Sequence, residues 1–163
     1  MLPRAIIVDL DGTLASVRWR LHHLDAPRKD WRSFFAGMAR DAPVPWVADL
    51  MRADHGEVVR LVVTGRPDDY REVCEAWLRR HRIPYDQLLM RRRGDRRPDH
   101  IVKAELFDHA IRLHYEVAFV VDDRPNVVRM WRERGLHVIV PEDPGSEPLE
   151  TESPEVQDLQ SAG

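Results

Sequence analysis

Cysteine is almost missing from this sequence: Cys74 stands alone in 163 residues. No intramolecular disulfide can form, and one thiol cannot build a cysteine-based zinc site. A reducing, cytoplasmic setting is therefore the expectation. Long apolar runs are missing as well. The first, Ala5-Ile6-Ile7-Val8, stops at Asp9, too short for a secretory signal or a membrane span, so no membrane contact is expected. The chain has no internal repeat and no G-x-x-x-x-G-K-[ST] loop for cradling nucleotide phosphates. Neither sign of charge dominates; at a net −3 the whole-molecule charge does not point to nucleic acid. The eight histidines show no metal-binding spacing, with His22 and His23 adjacent and the rest scattered. They read as surface or packing residues.

What is present suits one soluble globular domain, with 43% hydrophobic and 33% charged residues. Ala5 to Val8 reads as a buried strand. Val58-Val59 and Leu61 to Val63 form a second, ending at Thr64-Gly65-Arg66-Pro67. Val117 to Val121 form a third, ending at Asp122-Asp123, and Leu136 to Val140 a fourth; Leu88 to Met90 adds one more. Helical patterns lie between them. Asp68 or Asp69 is placed to cap a helix through Val73, Trp77 and Leu78. Asp99 is placed to cap another, with Val102, Leu106, Ala110 and Leu113 at helical spacing. Pro125 opens a third carrying Val128, Trp131 and Arg132, and Gly135 ends it. Strands alternating with helices predict an α/β fold with a doubly wound parallel sheet of about five strands.

Residues 15–55 break that alternation. Trp19, Trp31, Phe34, Phe35, Met38 and Trp46 fall there, and the segment reads as a small helical insertion within a domain of residues 1–141. Its aromatics fit the insertion's own core better than a base-stacking platform. Residues 142–163, with three prolines, three serines and five glutamates, read as a disordered acidic tail. Cys74, inside a helical pattern, reads as a small buried hydrophobe.

In a doubly wound sheet, ligands bind beyond the carboxyl ends of the strands. Those ends carry Asp9-Leu10-Asp11-Gly12-Thr13, Thr64-Gly65-Arg66 and Asp122-Asp123. Four carboxylates gathered on one rim repel each other unless a divalent cation with hard oxygen ligands joins them. Asp9 and Asp11, two apart on a strand end, can face one pocket. One can attack phosphorus while the other handles the proton of the leaving oxygen. Gly12 permits a sharp turn beside a phosphate. Thr64 and Lys103 offer donors to phosphoryl oxygens.

D-L-D-G-T, T-G-R, a downstream Lys and V-V-D-D together resemble the four motifs of the haloacid dehalogenase (HAD) superfamily. The resemblance implies a phosphatase working through an aspartyl-phosphate. Asp9 would be nucleophile and Asp11 acid, then base. Magnesium would be held by Asp9, the Asp11 backbone carbonyl, Asp122 and Asp123. Residues 4–140 also resemble the 3′-phosphatase domain of phage polynucleotide kinase-phosphatases, through M-R-R-R-G-D-R-R-P-D-H-I-V-K-A-E-L-F and V-V-D-D-R-P-N-V-V-R-M-W-R-E-R-G. That family's functional set falls on Asp9, Asp11, Arg20, Arg66, Arg91, Asp99, Lys103, Asp122 and Asp123, with Arg20, Arg66, Arg91 and Asp99 binding substrate and Asp99 also orienting Lys103 from one turn upstream. The absent phosphate-cradling loop implies a phosphatase alone or a module of a larger protein. The expected partners are DNA or RNA ends with a 3′-phosphate, a separate kinase or ligase, and a second copy of the chain in a homodimer.

Two other readings stand beside this one. A phosphatase for a nucleotide or sugar phosphate needs the same core residues and no basic track. A non-catalytic nucleic-acid-binding module needs neither. The cluster of Arg91, Arg92, Arg93, Arg96 and Arg97 reads equally as solvated surface and as a funnel for nucleic-acid phosphates.

Overall fold

Because Ala5 to Val8 are apolar on both faces, this segment must be covered above and below. In the computed structural model, which describes residues 1–25 and 27–141, it forms the central strand of a five-stranded parallel sheet. The expected disordered tail lies outside the described residues. The strands are β1 (Arg4–Val8), β4 (Val59–Pro67), β5 (Gln87–Arg91), β6 (Glu116–Val121) and β7 (Val138–Ile139), in the order β5-β4-β1-β6-β7. The period-2 alternation of strand side chains divides the interior in two. Ile6, Val8 and Val62 face one core with α2 (Pro45–Arg52) and α3 (Arg71–Arg80). Ala5, Ile7, Leu61 and Val63 face the other with α4 (Asp99–Leu106) and α5 (Pro125–Glu133). The largest side chain in that second core is Trp131, fully buried and edge-on to Phe107 at 5.7 Å.

The expected doubly wound α/β class is therefore the observed one. From β1 the chain goes to β4 and β5 on one side, then to β6 and β7 on the other. The switch point lies between β1 and β6, where such sheets bind ligands.

Local details differ from the sequence reading. β4 does not stop at Thr64; it runs to Pro67 with a register shift against β5. Asp68 and Asp69 lie in a 3₁₀ turn ahead of α3 and do not cap it; Asp68 accepts the backbone N–H of Arg93 instead. Asp99 is the first residue of α4, after Pro98, and its carboxylate faces the site. Beyond α4 the helix widens into a π turn, Phe107–Ile111. That turn buries Phe107 and Ile111 and leaves Leu113 exposed, because a wider turn shifts the apolar phase.

The insertion is helical only in part. A two-stranded antiparallel ladder, β2 (Ala15–Ser16) with β3 (Ala42–Pro43), brackets a 3₁₀ segment (Arg18–His23) and the short helix α1 (Trp31–Ala36). Asp30 caps α1 by accepting the Ser33 N–H. Trp31 and Phe34 pack with Val17 and Leu24 in a small core of their own. In contrast α2 sends Val47, Ala48 and Met51 into the main core, as the crossover helix between β1 and β4.

Candidate active site

Three strand ends meet at the switch point. β1 delivers Asp9 and Asp11, β4 delivers Thr64 and Arg66, and β6 delivers Asp122 and Asp123. Gly12, at φ 78°, turns the chain sharply after β1. A Cβ there would collide with the Asp123 carboxylate, so the residue must be glycine for both reasons. One carboxylate oxygen from each of Asp9, Asp122 and Asp123 falls within 4.8 Å of the others. Three of the four expected acids thus converge.

Lys103, wholly buried on α4, sits between two of them. Its Nζ donates to Asp9 Oδ1 and to Asp122 Oδ2, at 2.8 Å each. Asp99, one turn upstream, lies farther from it at 3.9 Å. Asp122 also accepts from Trp131 Nε1 (3.2 Å), and Asp123 from Thr13 Oγ1 (3.3 Å). These bonds fix the carboxylates in orientation. Burial, reinforced by Asp122, Asp123 and Asp99, raises Asp9 well above the usual carboxylate range despite the pull of Lys103. Burial and Asp122 push Asp123 up to about 7. Burial works against the Lys103 ammonium, but Asp122 and Asp9 override it and keep the group charged. Hard oxygen donors crowded at this spacing, with two of them resisting ionisation, fit a divalent cation.

Asp11 lives in the opposite environment. Arg66 grips it with Nε to Oδ2 (3.0 Å) and Nη2 to Oδ1 (2.5 Å); Arg20 Nη2 adds a bond to Oδ1 at 2.7 Å. Burial would raise this carboxyl, but Arg66 and Arg20 override it and hold it below the ordinary range. The β4 irregularity gives Arg66 this aim, since a bulge redirects a side chain. The remaining Arg66 nitrogen, Nη1, rests on the sulfurs of Met38 and Cys74. Cys74 is the small buried residue the sequence suggested.

Arg20 and Arg91 are each held by several partners within the protein. Arg20 is buried, with Nε and Nη2 forking onto Asp41 (2.8 and 2.6 Å) and Nη1 on the Phe34 carbonyl (3.0 Å). Its guanidinium also lies 4.0 Å over the Phe34 ring. Arg91, buried too, donates to the carbonyls of Gly65, Asp95 and Arg97 and to Asp99. It lines the cavity while holding the loop after β5 in place. Arg92, Arg93, Arg96 and Arg97 are exposed.

A cavity of about 30 Å³ opens between these groups, lined by Asp9, Asp11, Thr64, Arg66, Asp99 and Arg124, with Trp31, Phe34 and Phe35 of α1 as one wall. The insertion's aromatics therefore serve both its own core and the site. Two polar residues of the site escaped the sequence reading. Asp41, buried between Arg20 and Arg66, carries no motif. Arg124, bonded to Asp99 at 3.4 Å, directly follows the Asp122-Asp123 pair, and that position was the available signal.

A doubly wound sheet with paired acids after β1, a buried lysine on α4 and an acid pair after β6 defines a HAD-type phosphatase. The family model of the polynucleotide kinase PNKP phosphatase domain matches residues 3–143, and the chain belongs to that family. A protein of Autographa californica nuclear polyhedrosis virus, provisionally named a bifunctional polynucleotide kinase/RNA ligase, is 30% identical over 134 residues, 80% of this chain and 18% of that protein. A chain of the Pnkp1/Rnl/Hen1 RNA repair complex superposes with a TM-score of 0.75 at 37% identity, covering 86% of this chain and 42% of that one. A haloacid dehalogenase-like hydrolase of Streptococcus pneumoniae shares the fold at a TM-score of 0.58 and 16% identity, over 85% of this chain and 84% of that one. The chain thus spans less than half the length of the polynucleotide-processing relatives. No helix among the described residues is long and apolar enough to cross a membrane.

Proposed function

We propose that residues 1–141 form a magnesium-dependent polynucleotide 3′-phosphatase acting in the cytoplasm, with kinase and ligase activities supplied by other domains or chains. The observation that carries this reading is the Asp9–Lys103–Asp122 constellation in a chain whose family is that of PNKP phosphatase domains. Asp9, Asp122, Asp123 and the Asp11 backbone carbonyl would hold the cation. When bound, it neutralises phosphate oxygens and the crowded acids.

Asp9 attacks the terminal phosphorus, and the bond from phosphorus to the 3′-oxygen breaks. Lys103 and Thr64 take up negative charge on the transferring group. Asp11 has both oxygens engaged by guanidinium donors, so it can carry a proton only after Arg66 turns to the incoming phosphate. That exchange couples substrate arrival to the readiness of the acid. Asp11 then protonates the 3′-oxygen, the alcohol leaves, and Asp9 carries the phosphoryl group. Asp11, ionised again, takes a proton from water as that water attacks phosphorus and frees inorganic phosphate. Asp99 and Arg91 place the rim loop and the arginines around this pocket. The test is phosphate release from a 3′-phosphorylated oligonucleotide with magnesium. Turnover of free nucleotides without turnover of the oligonucleotide would replace this reading with a small-metabolite phosphatase.

A further inference from the structure

We propose that Arg124 is a further catalytic residue: with Nη1 kept on Asp99, the Nε–Nη2 edge of its guanidinium forks onto two oxygens of the transferring phosphoryl group. The inference rests on the phosphatase reading of the site and not on the choice of a polymer as substrate.

Three arginines line the cavity: Arg66, Arg91 and Arg124. The first two have every side-chain nitrogen engaged. Arg66 gives Nε and Nη2 to Asp11 and rests Nη1 on the sulfurs of Met38 and Cys74. Arg91 gives Nε to the Gly65 carbonyl, Nη1 to the carbonyls of Asp95 and Arg97, and Nη2 to Asp99. Arg124 makes one side-chain bond among the described residues, from Nη1 to Asp99, and at 3.4 Å it is a long one. Its Nε and Nη2 have no partner there, yet neither is among the buried unpartnered atoms, and the side chain is 21% exposed. Both nitrogens are therefore open to a ligand.

The chain aims this group at the reacting centre. Arg124 precedes Pro125, which holds it extended (φ −73°, ψ 123°) at the head of α5. Its backbone N–H reaches Asp122 Oδ1 at 3.4 Å. Burial opposes the charge of the guanidinium, and Asp99, Asp123, Asp9 and Asp11 together outweigh that. A cation felt by all four acids stands over the site they surround. The open edge also has the right shape. Two parallel N–H groups in one plane match two phosphoryl oxygens, as Arg66 matches the two oxygens of Asp11. Arg66 must leave Asp11 before it can meet phosphate; Arg124 needs to break nothing. Asp99, at 3.4 Å from Arg124 against 3.9 Å from Lys103, then acts as its anchor.

Hydrolysis of a small aryl phosphate with magnesium is measured for wild type, Arg124→Ala and Arg124→Lys. Inhibition by orthovanadate, which takes the shape of the transferring group, is measured beside it. Arg124→Ala should lower kcat/KM by about 10²-fold, the effect of removing one such donor, and weaken orthovanadate by a similar factor. Guanidinium added below its denaturing range should restore part of the lost rate. Arg124→Lys keeps the charge without the fork and should fall between the two. A brace for Asp99 alone would lose rate with orthovanadate binding unchanged. That result overturns the inference, as does an unchanged rate in both variants. If the alanine variant melts below the assay temperature, the lysine variant decides by the same pair of readouts. Wild type that hydrolyses the aryl phosphate but no 3′-phosphorylated oligonucleotide removes the polynucleotide reading and leaves this inference standing; wild type that hydrolyses neither overturns both.

Discussion

Asp9 and Asp11 stand two residues apart in one motif, yet their surroundings push them in opposite directions. Asp9 faces other acids and one ammonium, while Asp11 is gripped by two guanidinium groups. Lys103 is the only cation bonded to Asp9 among the described residues. Lys103→Met should therefore lower phosphate release at least about 10²-fold. It should also destabilise the metal-free fold by about 3–5 kcal/mol, since removing one partner of a buried ion pair strands the other. Rapid-quench kinetics and denaturant titration in chelator check the two effects. Asp123 yields a pH prediction. Its folded-state pKa is raised to about 7 from 3.8, so between those values the folded chain keeps a proton that the unfolded chain has released. Stability then falls as pH rises through that window. In chelator, the wild-type Tm should drop more from pH 6 to pH 8 than that of Asp123→Asn; an equal drop would contradict the assignment. The motif acids were legible because strand ends announce themselves in sequence, and Lys103 because it stands in the family motif on the helical pattern after Asp99. Asp41 was not: its importance comes from two arginines, 21 and 25 residues away, meeting it only in the folded chain.

The strands were legible because the centres of β1, β4 and β6 are covered on both faces and so read as short apolar runs, broken in β4 only by Arg60. What the pattern hid was irregularity. The shift in β4 after Thr64 and the π turn after α4 each alter the side-chain phase, and a periodic reading passes over both. α2 was grouped with the insertion because Pro43 precedes it and Pro45 opens it, although its apolar face belongs to the main core. The β4 irregularity also brings Gly65 hard against α4: a Cβ at that position would overlap the Asp99 carboxylate. Gly65→Ala must therefore displace Asp99, and with it the Arg91 and Arg124 bonds. Overpacking of this kind costs about 1–3 kcal/mol. Activity should fall more than stability does, because the displaced groups line the cavity. A thermal melt compared with kcat/KM checks this, and unchanged kinetics would show that the rim tolerates the shift.

At the scale of the whole molecule, the net charge of −3 conceals an uneven surface. Arg91, the member of the basic cluster expected to bind substrate, is buried at the cavity wall, where it donates to carbonyls and to Asp99. Its neighbours Arg92, Arg93 and Arg96 are exposed on the loop it holds, at the carboxyl-end rim of the sheet that carries the acid cluster. A polynucleotide entering by its 3′-end would trail its upstream phosphates, and this loop is a basic surface on that rim placed to meet them. A small phosphate ester has no such tail. Replacing Arg92, Arg93 and Arg96 together with Ala should therefore raise the KM for a 3′-phosphorylated oligonucleotide and leave hydrolysis of a small aryl phosphate unchanged. The salt dependence separates electrostatic tracking from a general disturbance. For single strands, each phosphate that the variant no longer neutralises should reduce the slope of log affinity against log salt by about 0.7. Wild type and variant with the same slope would mean that the loop touches no phosphate, and the discrimination between polymer and metabolite would then fall to the cavity and its aromatic wall alone.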